Sequence, residues 1–165
     1  MRLFNIKRHL ALSAVIVSAL AGCASTPTPV SVTDTLANTA SLSTLNGLVV
    51  RAGLVDTLKA PGPFTVFAPS NEAFTKVPAA TMDALGKDPA RLRDVLTYHV
   101  IPGKVMSADV KANTSVKTVN GANVVVSKAG TFVTVEDAMV TRADVDATNG
   151  VIHIIDAVNI PPVRR

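Results

Sequence analysis

Two histidines in the body of this 165-residue chain, His99 and His153, are its most chemically versatile side chains; the third, His9, sits near the start. Imidazole titrates near neutrality and ligates zinc. A metal centre needs a third ligand, and Asp156 is the conceivable one. The settings point elsewhere. His153 lies inside "VIHII", and His99 follows Leu92, Val95 and Leu96 on one helical stripe. Both read as hydrogen-bonded core histidines, so no metal and no cofactor are expected. The chain holds no G-x-S-x-G, H-E-x-x-H, C-x-x-C or phosphate loop, which are the motifs that would supply a nucleophile, a metal pair, a redox dithiol or a phosphate cradle. Its Ser, His and Asp residues show no triad spacing, and its acids are scattered singly. Tyr98, the only tyrosine, carries a hydroxyl that needs a partner if buried. Asn71 and Asn149-Gly150 read as capping and turn residues. These features describe a protein that is not an enzyme.

The single cysteine asks for its own account. Residues 1–22 open with Arg2, Lys7 and Arg8, continue through the uncharged run "LALSAVIVSALA", and end in small residues. An apolar run of this length spans about 18 Å as a helix, too short for a bilayer core of about 30 Å. A basic front, a short apolar run and small residues describe a cleaved export signal. "Leu20-Ala21-Gly22-Cys23" resembles a bacterial lipobox. The resemblance implies a diacylglycerol on the Cys23 sulfur, cleavage before Cys23, and acyl chains such as palmitate that hold the protein on a membrane. An odd thiol in an exported chain invites mispairing; a thioether cannot mispair. Residues 23–30, rich in Ser, Thr and Pro, form a short tether. Ala24 after the cysteine resembles the pattern that sends Gram-negative lipoproteins to the outer membrane.

Cleavage also changes the charge. The full chain has 16 basic and 12 acidic residues, and the leader takes three basic ones with it, leaving 13 against 12 and a net charge of +1. No basic field remains for nucleic acid. The remaining 143 residues suit one domain. With 4% aromatics and no Trp, its core is built from Val, Leu, Ile and Ala.

The elements that hold these residues follow from periodicity. Leu42, Leu45, Val49 and Ala52 fall at helical spacing. "LVDTLKA" makes a further short helix, stopped by "PGP". "FTVFAPS" reads as a buried strand, with Ser70 able to cap the next helix. A helix over Ala79 to Leu85 closes at Gly86. Asp88 and Pro89 open the clearest helix, through His99, which "IPG" ends. From there the period is two. Asn120-Gly121 marks a hairpin, "KAG" a second turn, a strand runs near Ala138 to Val145, and "VIHIIDAVNI" is a last strand in a central position. The class is α+β, with helices first and an antiparallel sheet after them.

Three segments carry a resemblance: "FTVFAPSNEAF" (64–74), "LTYHVIPG" (96–103) and "ATNGVIHIIDAVNIPP" (147–162). In this order they resemble a fasciclin (FAS1) domain over residues 31–162. The resemblance implies a wedge of antiparallel strands with helices packed around it, no catalytic residues, and a role in adhesion or surface attachment through protein or polysaccharide contacts. It also implies candidate recognition positions. Tyr98-His99 matches a Tyr-His segment linked to integrin binding in animal members. A second such segment falls on Arg142 to Asp146, where only Asp144 is identical and Val145 similar. The expected partners are the membrane, through lipidated Cys23, and an extracellular or envelope macromolecule. A Val-rich interior leaves one alternative, an envelope carrier of a small apolar ligand.

Overall fold

The computed structural model describes residues 30–162; Cys23 and the lipobox lie outside them. Side-chain caps start three of the helices. The Ser31 hydroxyl accepts the Asp34 N–H and opens α1 (Val32–Asn38), a helix that sequence periodicity did not indicate. A 3-10 turn at Ala40–Leu42 leads into α2 (Ser43–Arg51), and α3 (Val55–Lys59) follows. β1 (Phe64–Pro69) is buried from Thr65 onward. Ser70 accepts the Ala73 N–H and opens α4 (Asn71–Thr75). Asp88 accepts the N–H groups of Ala90 and Arg91 and, with Pro89 in the first turn, opens α6 (Pro89–Tyr98). α5 (Ala79–Lys87) departs from expectation: it runs through Gly86 and stops one residue later. The stop is set by Asp88, whose extended backbone is already the cap of α6.

The strands are β2 (Val100–Pro102), β3 (Thr114–Lys117), β4 (Asn123–Ala129), β5 (Phe132–Val135), β6 (Ala138–Ala147) and β7 (Gly150–Ile155). β2 occupies the segment read as a mere helix stop. All belong to one seven-stranded sheet in the order β2-β1-β7-β6-β5-β4-β3. The expectation of an antiparallel system holds for every neighbouring pair except β1 and β7, which run parallel from Phe64↔Gly150 to Pro69↔Ile155. Both of those strands are apolar on both faces, as parallel pairing in a covered sheet requires. Central placement of β7 is as expected, and all six of its residues are buried.

The two faces of this central pair serve different cores. Val66, Ala68, Ile152 and Ile154 pack against helix residues including Leu36, Leu45, Val49, Leu92 and Leu96. Phe67 and Ile155 point the other way, into Val124, Val126, Val133, Val135, Tyr98 and Ile101. The sheet curls around this second core until its ends meet. The Val119 N–H, just after β3, donates to the Val100 carbonyl in β2 at 2.8 Å. The result is an α+β wedge: a curled sheet with helices on one face.

Candidate functional site

His99 caps the end of α6 with a buried ring. Its Nδ1 lies 2.7 Å from the Val95 carbonyl oxygen. A carbonyl only accepts, so Nδ1 carries the proton. The lone pair on Nε2 then accepts the Asn159 N–H at 3.2 Å. Burial drives the His99 pKa from 6.5 down to about 4, against a smaller upward pull from the Val95 bond. At neutral pH the ring is uncharged, with both nitrogens committed to backbone. The Asn159 amide continues the tie by donating to the Val135 carbonyl at 2.9 Å. His99 thus joins α6 to the C-terminal segment.

His153 repeats the arrangement on β7. Its Nε2 lies 2.8 Å from the Val105 carbonyl and donates to it, and its Nδ1 accepts the Asp144 N–H at 3.2 Å. The ring stacks on Phe67 at 5.5 Å between centroids. Asp144 is reached through register shifts in β6 on either side of Arg142, and its backbone sits in the left-handed region at φ 56°. Bulges of this kind re-aim a side chain. Here the Asp144 carboxylate is aimed at Ser107, accepting its N–H at 2.8 Å and its hydroxyl proton. Lys128 donates to the Ser107 carbonyl at 2.9 Å. Partial burial raises the Asp144 pKa, but the two Ser107 bonds, with His153 and Lys128 nearby, outweigh it and leave the net pKa below the ordinary 3.8.

Serine, aspartate and histidine therefore do meet, but not in a catalytic order. Asp144 meets the serine with its carboxylate and the imidazole only with its backbone N–H. Ser107 is held as a donor to an anion, and the His153 nitrogens are both turned to backbone partners. A nucleophile needs a base within hydrogen-bond reach, and the imidazole does not provide one for this serine. Sequence spacing carried no sign of Ser107, because it lies in the irregular stretch between β2 and β3 and is brought in only by the β6 bulge.

The expected recognition residues separate. Tyr98 is buried, and its hydroxyl donates to the Asn123 carbonyl at 3.3 Å. Burial, reinforced by the nearby Glu136 charge, raises its pKa. Neither Tyr98 nor His99 offers its ring to a partner. Val145 is half-buried against the helix-side core. Asp144 does not itself line a groove, but its partner Ser107 and its neighbour Ala143 do: a shallow groove of about 290 Å³ whose walls also include Lys128, Gly130, Thr131 and Val140.

The two asparagines read as local caps work over longer range. Asn71 accepts the Thr44 N–H at 3.0 Å and donates to the Ala40 carbonyl at 3.0 Å, so it caps α2 rather than its own helix. Asn149 accepts the Val32 N–H and donates to the carbonyls of Leu58 and Ala60, tying α1 and α3 to the start of β7. Asp156 accepts the Met139 N–H and pairs with Lys76. Among the described residues no group of three His, Cys, Asp or Glu is close enough to hold a metal ion. No described helix is long and apolar enough to cross a membrane.

The carrier reading meets the interior directly. The enclosed apolar spaces found between the helices and β1, and beside Leu58 and Phe64, measure about 10 and 30 Å³. A carried ligand needs about 300 Å³ or more. Both interior spaces fall short of that.

Residues 40–161 match the fasciclin domain family. The chain is 42% identical to Protein sll1483 of Synechocystis over 150 residues, covering 88% of this chain and 82% of that one. It is 40% identical to the cell surface glycolipoprotein MPB83 of Mycobacterium bovis over 111 residues, 67% of this chain and 49% of MPB83. The FAS1 domain pair of the insect cell adhesion molecule fasciclin I superposes with a TM-score of 0.61 at 27% identity, covering 73% of this chain and 46% of that structure.

Proposed function

This chain belongs to the fasciclin domain family, and on that premise we propose that it is a non-enzymatic adhesion module displayed at a cell surface. The observation that carries the reading is the family match across residues 40–161. The site chemistry agrees with it: both described imidazoles are committed to backbone partners, so neither is free to act as a general base. Fasciclin I is a cell adhesion molecule by name, and MPB83 a cell surface glycolipoprotein. Both support display outside the cell.

The finer proposal places the domain on a bacterial membrane through a lipid on Cys23, in the outer membrane if the host is Gram-negative. Acyl chains attached together hold a protein stably where one is marginal. Many tethered copies then make weak single contacts effective by avidity. The partner is an extracellular or envelope protein or polysaccharide. The proposed contact surface is the groove beside Asp144, whose wall the Ser107 bonds fix in place.

The test compares surface attachment and biofilm cohesion in four strains: wild type, Cys23→Ser, a deletion of residues 31–162 that keeps the anchor, and Thr131→Arg, which crowds the groove from an exposed position. Loss of attachment in all three altered strains is expected, with Cys23→Ser protein moving to the soluble fraction. Unchanged attachment without residues 31–162 overturns adhesion. Cys23→Ser protein that stays membrane-bound overturns the anchor.

A further inference from the structure

The chain contains three Asn-Gly pairs, Asn46-Gly47, Asn120-Gly121 and Asn149-Gly150, and the fold gives each a different fate. The chemistry available to all three is the same. The glycine nitrogen can attack the asparagine Cγ, because no side chain on the following residue hinders approach. A Cγ–N bond forms, the Cγ–Nδ2 bond breaks, and ammonia leaves with the proton from the glycine N–H. Water then opens the cyclic imide at either carbonyl, giving aspartate or isoaspartate. The net change is loss of ammonia and gain of water.

Asn46-Gly47 lies inside α2, where the glycine amide belongs to the helix ladder. Asn149 is locked by three side-chain hydrogen bonds at 2.9, 2.7 and 3.1 Å. Gly150 behind it is buried against β1, so close that an added Cβ would lie 2.1 Å from the Phe64 oxygen. Asn120-Gly121 differs from both. It occupies the β3–β4 hairpin, Gly121 is exposed in the left-handed region at φ 92°, and its N–H makes a turn bond to Thr118 at 2.9 Å.

We propose that Asn120 is a site of spontaneous deamidation, and that its conversion releases the β3–β4 hairpin from α6. The leaving nitrogen is itself the clip: Nδ2 donates to the Asp94 carbonyl at 3.1 Å, and the Asn120 N–H reaches the Thr97 carbonyl at 3.3 Å. Aspartate at this position has no donor for Asp94. Its negative charge falls at the carbonyl end of α6, the unfavourable end for an anion, beside a second carboxylate on Asp94. Isoaspartate lengthens the turn by one backbone atom as well. The neighbouring residue Val119 makes the bond to Val100 that closes the curled sheet, so the modification acts where the sheet's two ends meet. It also adds charge to the open groove of about 370 Å³ that Asn120 lines with Asp88, Arg91 and Asp94.

Folded protein incubated at mildly alkaline pH, digested with trypsin and followed by mass spectrometry tests the first claim. The peptide Thr118–Lys128 should gain about 1 Da with time, as a mixture of aspartate and isoaspartate at position 120. The peptide carrying Asn149 should lag severalfold, because Gly150 is buried so tightly against β1 that its nitrogen cannot swing onto the Asn149 Cγ without opening the β1–β7 contact. Equal rates at the two sites, or an unmodified Asn120 after the unfolded protein has reacted, overturns the site. The product is tested with Asn120→Asp by amide exchange: Val119 should exchange faster than in the parent. Unchanged protection at Val119 overturns the release.

Discussion

Acidification from pH 7.5 to pH 5 should weaken the fold through His99 before any of the shifted carboxylates contributes. In the unfolded chain this imidazole titrates near 6.5, and in the folded one near 4. The folded state therefore binds fewer protons than the unfolded state between those values. Stability from keeping the ring neutral is fully present above the unfolded value and is lost as pH falls toward the folded one. A gap of about 2.5 pH units between 6.5 and about 4, at about 1.4 kcal/mol each, sets a ceiling of about 3 kcal/mol. At pH 5 the two titration curves give a loss of about 2 kcal/mol, a large part of a typical domain's stability. The structure supplies the cause. His99 shares a small apolar space with Leu36, Leu45, Val49, Leu58, Val66 and Phe67, and no carboxylate lines that space. A proton on Nε2 would also meet the Asn159 N–H, placing donor against donor.

Urea unfolding at fixed pH values measures this directly, since the midpoint shifts while the slope with urea stays constant. Asp34, Asp144 and Asp156 all titrate below 3.8 in the folded state, Asp34 through its Ser31 bond first and Asp156 through its Met139 bond first. Their losses belong to more acidic solutions. His99→Gln should start less stable and lose less stability than the parent between pH 7.5 and 5. Wild-type stability that does not change over that range refutes the reasoning, as does a His99→Gln profile with the same slope as the parent.

Two substitutions test the packing that holds the sites. In Gly150→Ala the new Cβ meets backbone, not a movable side chain, at 2.1 Å from the Phe64 oxygen; a loss of about 1–3 kcal/mol by chemical denaturation is expected, and a neutral result would mean the β1–β7 register is wrong. Leu96→Ala removes a side chain that is 5% exposed in the helix-side core, so about 2–5 kcal/mol should be lost, and a cost well under 1 kcal/mol would contradict its burial.

What was legible in the sequence was local. Asp88, Pro89 and Ser70 announce helix starts because a cap is satisfied within three residues of itself. Gly121 announces a hairpin because its positive φ is needed there, although the loop is a three-residue turn closed from Thr118 to Ala122 rather than a two-residue one. The central position of β7 was legible from its unbroken apolar run. Its parallel partner was not: β1 and β7 are far apart along the chain, and nothing in either segment encodes direction. The roles of Asn71 and Asn149 were hidden for the same reason. Their short polar side chains fit a local turn equally well, and only the fold brings α2, α1 and α3 within reach.

That concealment bears on where recognition can lie. The polar residues that stand out in the three fasciclin motifs, Asn71, His99, Asn149, His153 and Asn159, each bond to backbone groups distant in sequence. Removing His99, His153 or Asn159 leaves a buried donor or acceptor unpaired, which costs about 1–3 kcal/mol. Substitutions there should first reduce the amount of folded protein, and any loss of attachment would follow from that. Partner choice needs side chains that can vary without such a penalty. Exposed positions around the Asp144 groove, such as Thr131, meet that condition. On the proposed reading, the motifs hold the fold together, and residues outside them, such as Thr131, are the ones free to set what the groove binds.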